Sequence, residues 1–158
     1  MNFNIGYMAS TLVKIYVHLV FHVKSTGIPM REEDLPRIFD YMGGIIRNVG
    51  GISMVVGGLT DHVHILTTLP KTMTLSDFVR TIKANSSRWI KTIDDYYAPF
   101  VWQDGYGAFS VSASTIPVVR RYISNQKGHH KTVTYVDEYK QFLDAYCVKY
   151  DERYAFLD

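Results

Sequence analysis

The sequence has 158 residues, of which 47% are hydrophobic and 20% are charged, so it fits one globular domain and excludes a disordered chain, a fibrous repeat and a multidomain assembly. No apolar run approaches the roughly 20 residues of a membrane helix and no signal-peptide pattern is present, so we expect a cytoplasmic protein. The net charge of +2 does not by itself indicate a nucleic-acid-binding protein, and the one cysteine, Cys147, excludes an internal disulfide and is expected in the core.

The first part of the chain predicts a leader, a strand and a helix. Residues 1–10 carry scattered Asn, Gly and Ser and are expected to form a flexible leader, so that 11–158 form the single domain. Residues 11–24 alternate and are rich in Val, Ile, Tyr and Phe, which favours a strand that is apolar on both faces and therefore central in a sheet. At 32–48 apolar residues recur every three or four positions, which indicates an amphipathic helix that ends at Gly50.

The rest of the chain predicts three more strands and three more helices. Thr74 is a plausible N-cap with Asp77 three residues on, and Gly128 lies where a C-cap glycine would end the helix that begins near Pro117. The predicted elements are strands at 51–59, 62–69 and 109–113, and helices at 75–93, 116–127 and 136–147. This order predicts a ferredoxin-like or RNA-recognition-like α+β sandwich with a C-terminal helical extension.

Basic residues are concentrated in the middle and late parts of the chain. Between 62 and 136 there are nine Lys or Arg against four Asp, whereas the remainder has eight basic against eleven acidic residues. Residues 105–136 contain no acidic residue. This part of the chain is suited to an anionic ligand, and a solvated basic face is the alternative.

His62 and His64 form the most informative local pattern, because they alternate with Val63 along a predicted strand. Period-two geometry directs both imidazoles to one face of the sheet while Val63 enters the core. Two such rings can reach one ion at about 2.1 Å each, and Asp61 can orient one ring as a hydrogen-bond acceptor. A packed or surface histidine pair remains the alternative to a metal site.

Four further polar side chains are candidates for a functional or a structural role. Tyr122 and Gln126 lie four residues apart in the late helix, so a phenol and an amide share one stripe, although a half-buried core tyrosine is the simpler interpretation. His18 and His22 share one face of the first strand. We interpret these two as sheet residues or DNA contacts rather than as metal ligands.

These motifs occur within a longer set of sequence blocks: DHVHIL, WQDGYGAFSVS, YISNQKGHH, EYKQFL and a terminal DERY. In this order and spacing, over roughly residues 12–156, they resemble the single-tyrosine HUH transposases (TnpA type) of small insertion sequences. The resemblance implies a ferredoxin-like domain that cleaves and rejoins single-stranded DNA at hairpin-marked element ends. The chemistry it implies proceeds through a 5′-phosphotyrosine intermediate.

The resemblance also implies individual roles. His62, His64 and Gln126 would be the protein ligands of a divalent ion, Mg²⁺ or Mn²⁺, and Tyr122 would be the nucleophile. It implies a homodimer in which the tyrosine helix of one subunit can serve the histidine pair of the other. No nucleotide cofactor and no membrane partner are expected.

Eight cations are candidate DNA contacts, four in the second predicted helix and four around the tyrosine. They are Arg80, Lys83, Arg88, Lys91, Arg120, Arg121, Lys127 and Lys131. A solvated helix face is the alternative for the first four. The resemblance assigns no role to the doublet His129 and His130. We interpret these histidines as solvating the end of the helix, and a phosphate contact is the alternative.

Two other functions remain open on the sequence. One is a non-catalytic module that binds single-stranded or hairpin nucleic acid, such as a domesticated transposase, for which a metal would be dispensable. The other is a metal-dependent hydrolase that uses the histidine pair with activated water, for which Tyr122 would be dispensable.

Overall fold

The computed structural model describes residues 11–129, 133–153 and 155. The predicted leader at 1–10, His130, Lys131 and the side chain of His129 lie outside the described residues. The strands are β1 Tyr16–His22, β2 Ser53–Gly58, β3 His62–Thr68 and β4 Gly107–Val111. The helices are α1 Leu35–Asn48, α2 Leu75–Ile90, α3 Ile116–Ser124, α4 Gln126–His129 and α5 Tyr135–Ala145, with 3₁₀ turns at Glu32–Asp34, Asp95–Tyr97 and Ala113–Thr115.

The four strands form one antiparallel sheet in the order β2-β3-β1-β4. The central position predicted for the first strand is confirmed, because β1 pairs with β3 on one side and β4 on the other. This strand order with the helices between the strands is the ferredoxin-like α+β arrangement, and α3 to α5 form the C-terminal extension. No helix in the described part of the chain is long and apolar enough to cross a membrane.

The sheet is covered on both faces. On one face, Leu19 and Phe21 of β1 and Ile65 of β3 pack in the main hydrophobic core with residues of α1 and α2. On the other face, Val20 packs against α5, and Leu66 packs against Ile123 of α3. The predicted alternation of β1 is therefore confirmed, and the face that carries the histidines has its own cover of helices.

The predicted boundaries differ from the observed ones mainly at the ends of elements. β1 begins at Tyr16 and not at residue 11. The carbonyl oxygen of Ile15 still accepts a hydrogen bond from the backbone N–H of Leu69 at 2.8 Å, but residues 11–14 lie outside the strand and Leu12 is 92% exposed. β4 begins two residues before the predicted start, at Gly107. The Thr74 cap is confirmed, because its hydroxyl accepts a hydrogen bond from the backbone N–H of Asp77 at 3.1 Å.

Two predictions from the C-terminal part of the chain are wrong. Gly128 does not end the tyrosine helix, because the backbone leaves helical geometry earlier, at Asn125, and Gly128 lies inside the short α4. Cys147 is exposed and not in the core. It follows the end of α5 in a turn where its φ is 55°, so its side chain does not continue the apolar stripe of the helix.

The tyrosine helix packs closely on the edge of the sheet at Gly57. A Cβ atom at this position would lie 2.7 Å from the carbonyl oxygen of Ile123 in α3. That contact is shorter than real Cβ contacts allow, so a larger residue would force α3 away from β2. Gly57 therefore fixes the height of α3, and with it the position of Tyr122, above the sheet.

We expect Gly57→Ala to lower the free energy of unfolding by about 1–3 kcal/mol, because the strand or α3 must move to relieve the overlap. Gly44→Ala in α1 is the matched control. A Cβ there meets only a side-chain nitrogen of Arg47 at 3.9 Å, so this change should stabilise the helix by about 0.5–1 kcal/mol. Urea unfolding of both variants measures the difference, and equal stability of Gly57→Ala and the unchanged protein would contradict the close packing.

Candidate active site

Strand β3 places His62 and His64 side by side on the face covered by α3 and α5. Both side chains are fully buried, and their ring centroids are 5.2 Å apart with the rings nearly perpendicular. Val63 between them belongs to the core on the opposite face. The predicted orientation of the pair is therefore confirmed, and the alternative of a surface pair is excluded.

The two ring nitrogens of His62 face two different oxygens. Nδ1 lies 2.7 Å from Oδ1 of Asp61, as the sequence predicts, and Nε2 lies 3.1 Å from Oε1 of Gln126. A proton on Nδ1 that is donated to the carboxylate leaves the Nε2 lone pair of a neutral ring directed at the amide oxygen. The Nε2 lone pair of His62 and the Oε1 atom of Gln126 are then two acceptors that face each other, and a cation bound between them would satisfy both.

The separation of these two acceptors also suits an ion. Adjacent ligands of an octahedral ion at about 2.1 Å are about 3 Å apart, and the observed distance between His62 Nε2 and Gln126 Oε1 is 3.1 Å. Gln126 is buried at the start of α4, and its amide nitrogen lies 3.4 Å from the carbonyl oxygen of Tyr122. The structure thus brings together the three residues that the sequence predicts as ligands.

His64 lies between a second histidine and a carboxylate. Its Nδ1 is 2.8 Å from Nε2 of His18, and its Nε2 is 2.6 Å from Oε1 of Glu138 in α5. Possible ligand atoms of His62, His64 and Glu138 all lie within 4.8 Å of one another. Sequence reasoning missed Glu138.

A signal for Glu138 is present in the sequence. Tyr135, Tyr139 and Phe142 recur at the spacing of one helix face, and Glu138 falls on the same stripe. A charged residue on the apolar face of an amphipathic helix indicates a buried polar function. The partner of that residue is not local, so the stripe alone does not identify the histidine that it meets.

His18 orients His64 from the neighbouring strand. Burial lowers the pKa of His18 to about 3, and the nearby His64 also lowers it, so the His18 ring is neutral at pH 7. A neutral His18 that accepts a hydrogen bond from Nδ1 of His64 fixes the tautomer in which the Nε2 lone pair of His64 points to the side of Glu138, where a metal would bind. His18 is thus a sheet residue that supports the histidine pair. Because its side chain is buried, the alternative interpretation of His18 as a DNA contact is excluded in this structure.

His22 lies at the end of the same stripe and plays a different part. Its Nδ1 is 2.6 Å from the carbonyl oxygen of Val23, and its ring lies edge-on to Tyr135 of α5. His22 therefore packs as a sheet residue, which agrees with one of the two interpretations from the sequence.

Tyr122 of α3 lies beside the histidine pair of its own chain. Its ring centroid is 5.6 Å from that of His64, and its hydroxyl is buried. Burial raises the pKa of Tyr122 above its ordinary value, and a hydrogen bond to Glu138 raises it further. The phenol is therefore protonated in this arrangement, which makes it a weak nucleophile.

The site has an open side and a closed side. Tyr122 lines a surface depression of about 480 Å³ together with Arg121, Ser124 and Asn125. On the other side, Tyr135 of α5 stacks at a tilt over His62 with a centroid distance of 4.7 Å. DNA can approach the tyrosine from the depression, whereas α5 covers the histidines.

The candidate DNA-binding cations fall into two separate groups. Arg120, Arg121 and Lys127 are exposed on α3 and α4, and Lys127 forms an ion pair with Glu32. Arg80, Lys83 and Arg88 of α2, and Lys91 directly after it, lie across the sheet from the histidines. One of them, Lys83, donates a hydrogen bond to the carbonyl oxygen of Gln103 at 2.8 Å, and burial lowers its pKa to about 8.

A family model for IS200-like transposases matches residues 11–126, which is more than half of the chain and includes the histidine pair, Tyr122 and Gln126. The chain belongs to this family. It is therefore a DNA transposase, and the family recognised from the sequence motifs is confirmed. The match ends at Gln126, so α5 and Glu138 of this IS200-like transposase lie beyond it.

Two solved structures share the fold of this IS200-like transposase. A candidate transposase from Deinococcus radiodurans R1 is 22% identical with a TM-score of 0.58, and the alignment covers 75% of this chain and 95% of the other. A REP-associated tyrosine transposase bound to a REP hairpin is 14% identical with a TM-score of 0.57, and the alignment covers 80% and 74% of the two chains. No protein with a curated description matches the sequence.

We expect His18→Phe to lower Mn²⁺ affinity by about 10- to 100-fold, because the ring nitrogen that orients His64 is lost. His18→Gln retains a polar group that can accept from His64 and should restore part of the affinity. Electron paramagnetic resonance of free Mn²⁺ measures the binding, and circular dichroism checks that both variants fold. Equal Mn²⁺ affinity of His18→Phe and the unchanged protein would show that His18 only fills space.

Proposed function

We propose that this transposase cleaves and rejoins single-stranded DNA at hairpin-marked element ends, with Tyr122 as nucleophile and a divalent ion at His62, His64 and Gln126. The observation that carries the proposal is that two imidazoles of β3, the phenol of Tyr122 in α3 and the amide of Gln126 in α4 lie next to one another in the folded chain. A structural neighbour that is bound to a REP hairpin supports hairpin DNA as the substrate class.

The proposed ligands suit Mg²⁺ or Mn²⁺. Two imidazole nitrogens and an amide oxygen carry no negative charge, so a bound dication keeps its full charge toward a phosphate. When bound, such an ion stabilises negative charge on the non-bridging oxygens of the scissile phosphate. Asp61 and His18 hold the two imidazoles in the tautomers that such binding needs.

The role of Tyr122 follows from the bonds that change. Its oxygen attacks phosphorus, the bond from phosphorus to the 3′ oxygen breaks, and the phenol proton is balanced by the proton that the leaving 3′ oxygen takes up. The 5′-phosphotyrosine link conserves the phosphodiester, so a second 3′-hydroxyl can reverse the attack and join new strands. Tyrosine in place of water therefore favours strand transfer over hydrolysis.

The proposed path of the single strand follows the depression beside Tyr122. Arg120 and Arg121 are exposed next to it and suit phosphate contacts. The cations of α2 lie on the opposite side of the sheet, so we propose that they contact only a bulky hairpin stem. A homodimer remains a prediction, and this site does not need one, because Tyr122 lies beside the histidines of its own chain.

We expect Tyr122→Phe to abolish a covalent adduct with labelled single-stranded hairpin DNA in Mn²⁺ while leaving DNA binding unchanged. Tyr146→Phe is the matched control, since its exposed hydroxyl only donates to the carbonyl oxygen of Ser110. A denaturing gel detects the adduct. An adduct with Tyr122→Phe would contradict the assignment of the nucleophile, and binding without an adduct for any flanking sequence would favour a non-catalytic binding module.

The salt dependence of binding tests the path of the strand. Arg121→Gln should lower the slope of log affinity against log salt by about 0.7 for an unstructured oligonucleotide, as expected when one phosphate contact is lost. Arg88→Gln on the exposed face of α2 is the control and should leave this slope unchanged. Fluorescence anisotropy at several salt concentrations measures both, and a reversed result would place the single strand on α2.

A further inference from the structure

Glu138 is a charged side chain in a place where packing alone favours an apolar one. It is 1% exposed, on the face of α5 that otherwise presents Tyr135, Tyr139 and Phe142 to the sheet. A buried carboxylate is costly to desolvate unless a cation or strong hydrogen bonds compensate it. Glu138 therefore requires an explanation beyond the attachment of α5.

The attachment of α5 is explained by other residues. The ring of Tyr139 lies against Gly107 of β4, where a Cβ would approach it to 2.7 Å. The ring of Phe142 stacks on Phe109 at a centroid distance of 5.3 Å. These aromatic contacts hold the helix, so the carboxylate at the same face serves the polar cluster beneath it.

We propose that Glu138 is a fourth, anionic protein ligand of the divalent ion, and that the ion thereby holds α5 closed over the site. This inference rests on the proposed metal site of His62, His64 and Gln126. It adds a ligand from a helix that lies beyond the family match, which ends at residue 126. It also gives the ion a second effect, since occupancy of the site and docking of α5 become one event.

The distances fit this arrangement. Oε1 of Glu138 lies 2.6 Å from Nε2 of His64, the nitrogen that His18 leaves available by facing Nδ1. Two adjacent ligands of one ion are about 3 Å apart, so the pair needs to separate by only a few tenths of an ångström. A bound ion would take the place of the proton that joins the imidazole to the carboxylate, and that proton would be released to solvent.

The closed arrangement also limits access of DNA. His62 and His64 are fully buried beneath α5 and α3, so a phosphodiester reaches their ligand atoms only after α5 moves. A carboxylate among the ligands would lower the net positive charge of the site and so weaken its attraction for a phosphate. DNA therefore competes with Glu138, and cleavage requires its release.

Hydrogen exchange of the α5 amides with and without Mn²⁺ tests the inference in the full chain, together with Mn²⁺ affinity measured by electron paramagnetic resonance. Glu138→Gln keeps the shape of the side chain and removes its charge. Glu152→Gln is the matched control, because Glu152 is exposed and its carboxylate forms a surface ion pair with Lys140 at 3.6 Å. Glu138→Asp keeps the charge on a shorter arm.

We expect Mn²⁺ to slow hydrogen exchange of the α5 amides in the unchanged protein and in Glu152→Gln. In Glu138→Gln, Mn²⁺ should leave the exchange of these amides unchanged. The Mn²⁺ affinity of Glu138→Gln should fall by at least about 10-fold, the smallest loss expected even for an outer hydrogen-bond partner of a ligand. Glu138→Asp should recover part of it. At saturating Mn²⁺, Glu138→Gln should form the DNA adduct faster than the unchanged protein, because DNA then no longer competes with the carboxylate for the ion.

Different failures have different meanings. If Glu138→Gln binds Mn²⁺ as tightly as the unchanged protein while His64→Ala does not bind it, the metal site stands and the role of Glu138 is wrong. If Glu138→Gln binds Mn²⁺ normally but forms no adduct, Glu138 acts in the reaction and not as a ligand, which also overturns the inference. If His64→Ala binds Mn²⁺ normally, the proposed metal site fails as well.

Discussion

The arrangement of the site depends on one constraint, which is that polar side chains buried on a sheet must satisfy one another. The alternation of β3 sends His62 and His64 to a face that helices cover completely. Each ring nitrogen then needs a partner, because an unpaired polar atom in this layer costs about 1–3 kcal/mol. Asp61, Gln126, His18 and Glu138 provide those partners, and they come from four different parts of the chain. The polar cluster therefore ties β1, β3, α4 and α5 to one point.

The two faces of the sheet differ in their contents, since one carries the main hydrophobic core and the other carries the polar site. The face toward α1 and α2 is packed with apolar side chains such as Leu19, Phe21 and Ile65, which belong to the main hydrophobic core and favour folding through their burial. The face toward α3 and α5 combines smaller apolar clusters with the polar site. A rigid sheet can thus hold the histidines in register while the helices above them move. Such a separation suits an enzyme that must admit and release a DNA strand.

The sequence was sufficient to predict the features that depend on local periodicity, such as the faces of strands and the start of a helix. It did not predict the features that depend on contacts between distant parts of the chain. The alternation around Val63 was enough to place two imidazoles on one face, and the cap at Thr74 was enough to begin α2. Tyr122 and Gln126 gained meaning only from the family resemblance, since their shared stripe is common in helices. Glu138 lies 74 residues from His64 along the chain, so no local pattern joins them. Gly128 failed as a stop signal because Asn125 had already ended the helix, which propensity alone does not reveal.

The charge of the ligand set explains why a carboxylate would be carried on a separate helix. A site of two imidazoles and an amide leaves a dication its full charge and attracts phosphate strongly, but it binds the ion less tightly than a site with an anionic ligand. A fixed carboxylate would strengthen ion binding and weaken the attraction for phosphate. On our proposal, α5 resolves this conflict by motion, because Glu138 stabilises the ion while no DNA is bound and withdraws when a phosphate arrives. The ion is then both retained at rest and strongly electrophilic during cleavage, which no fixed set of ligands provides.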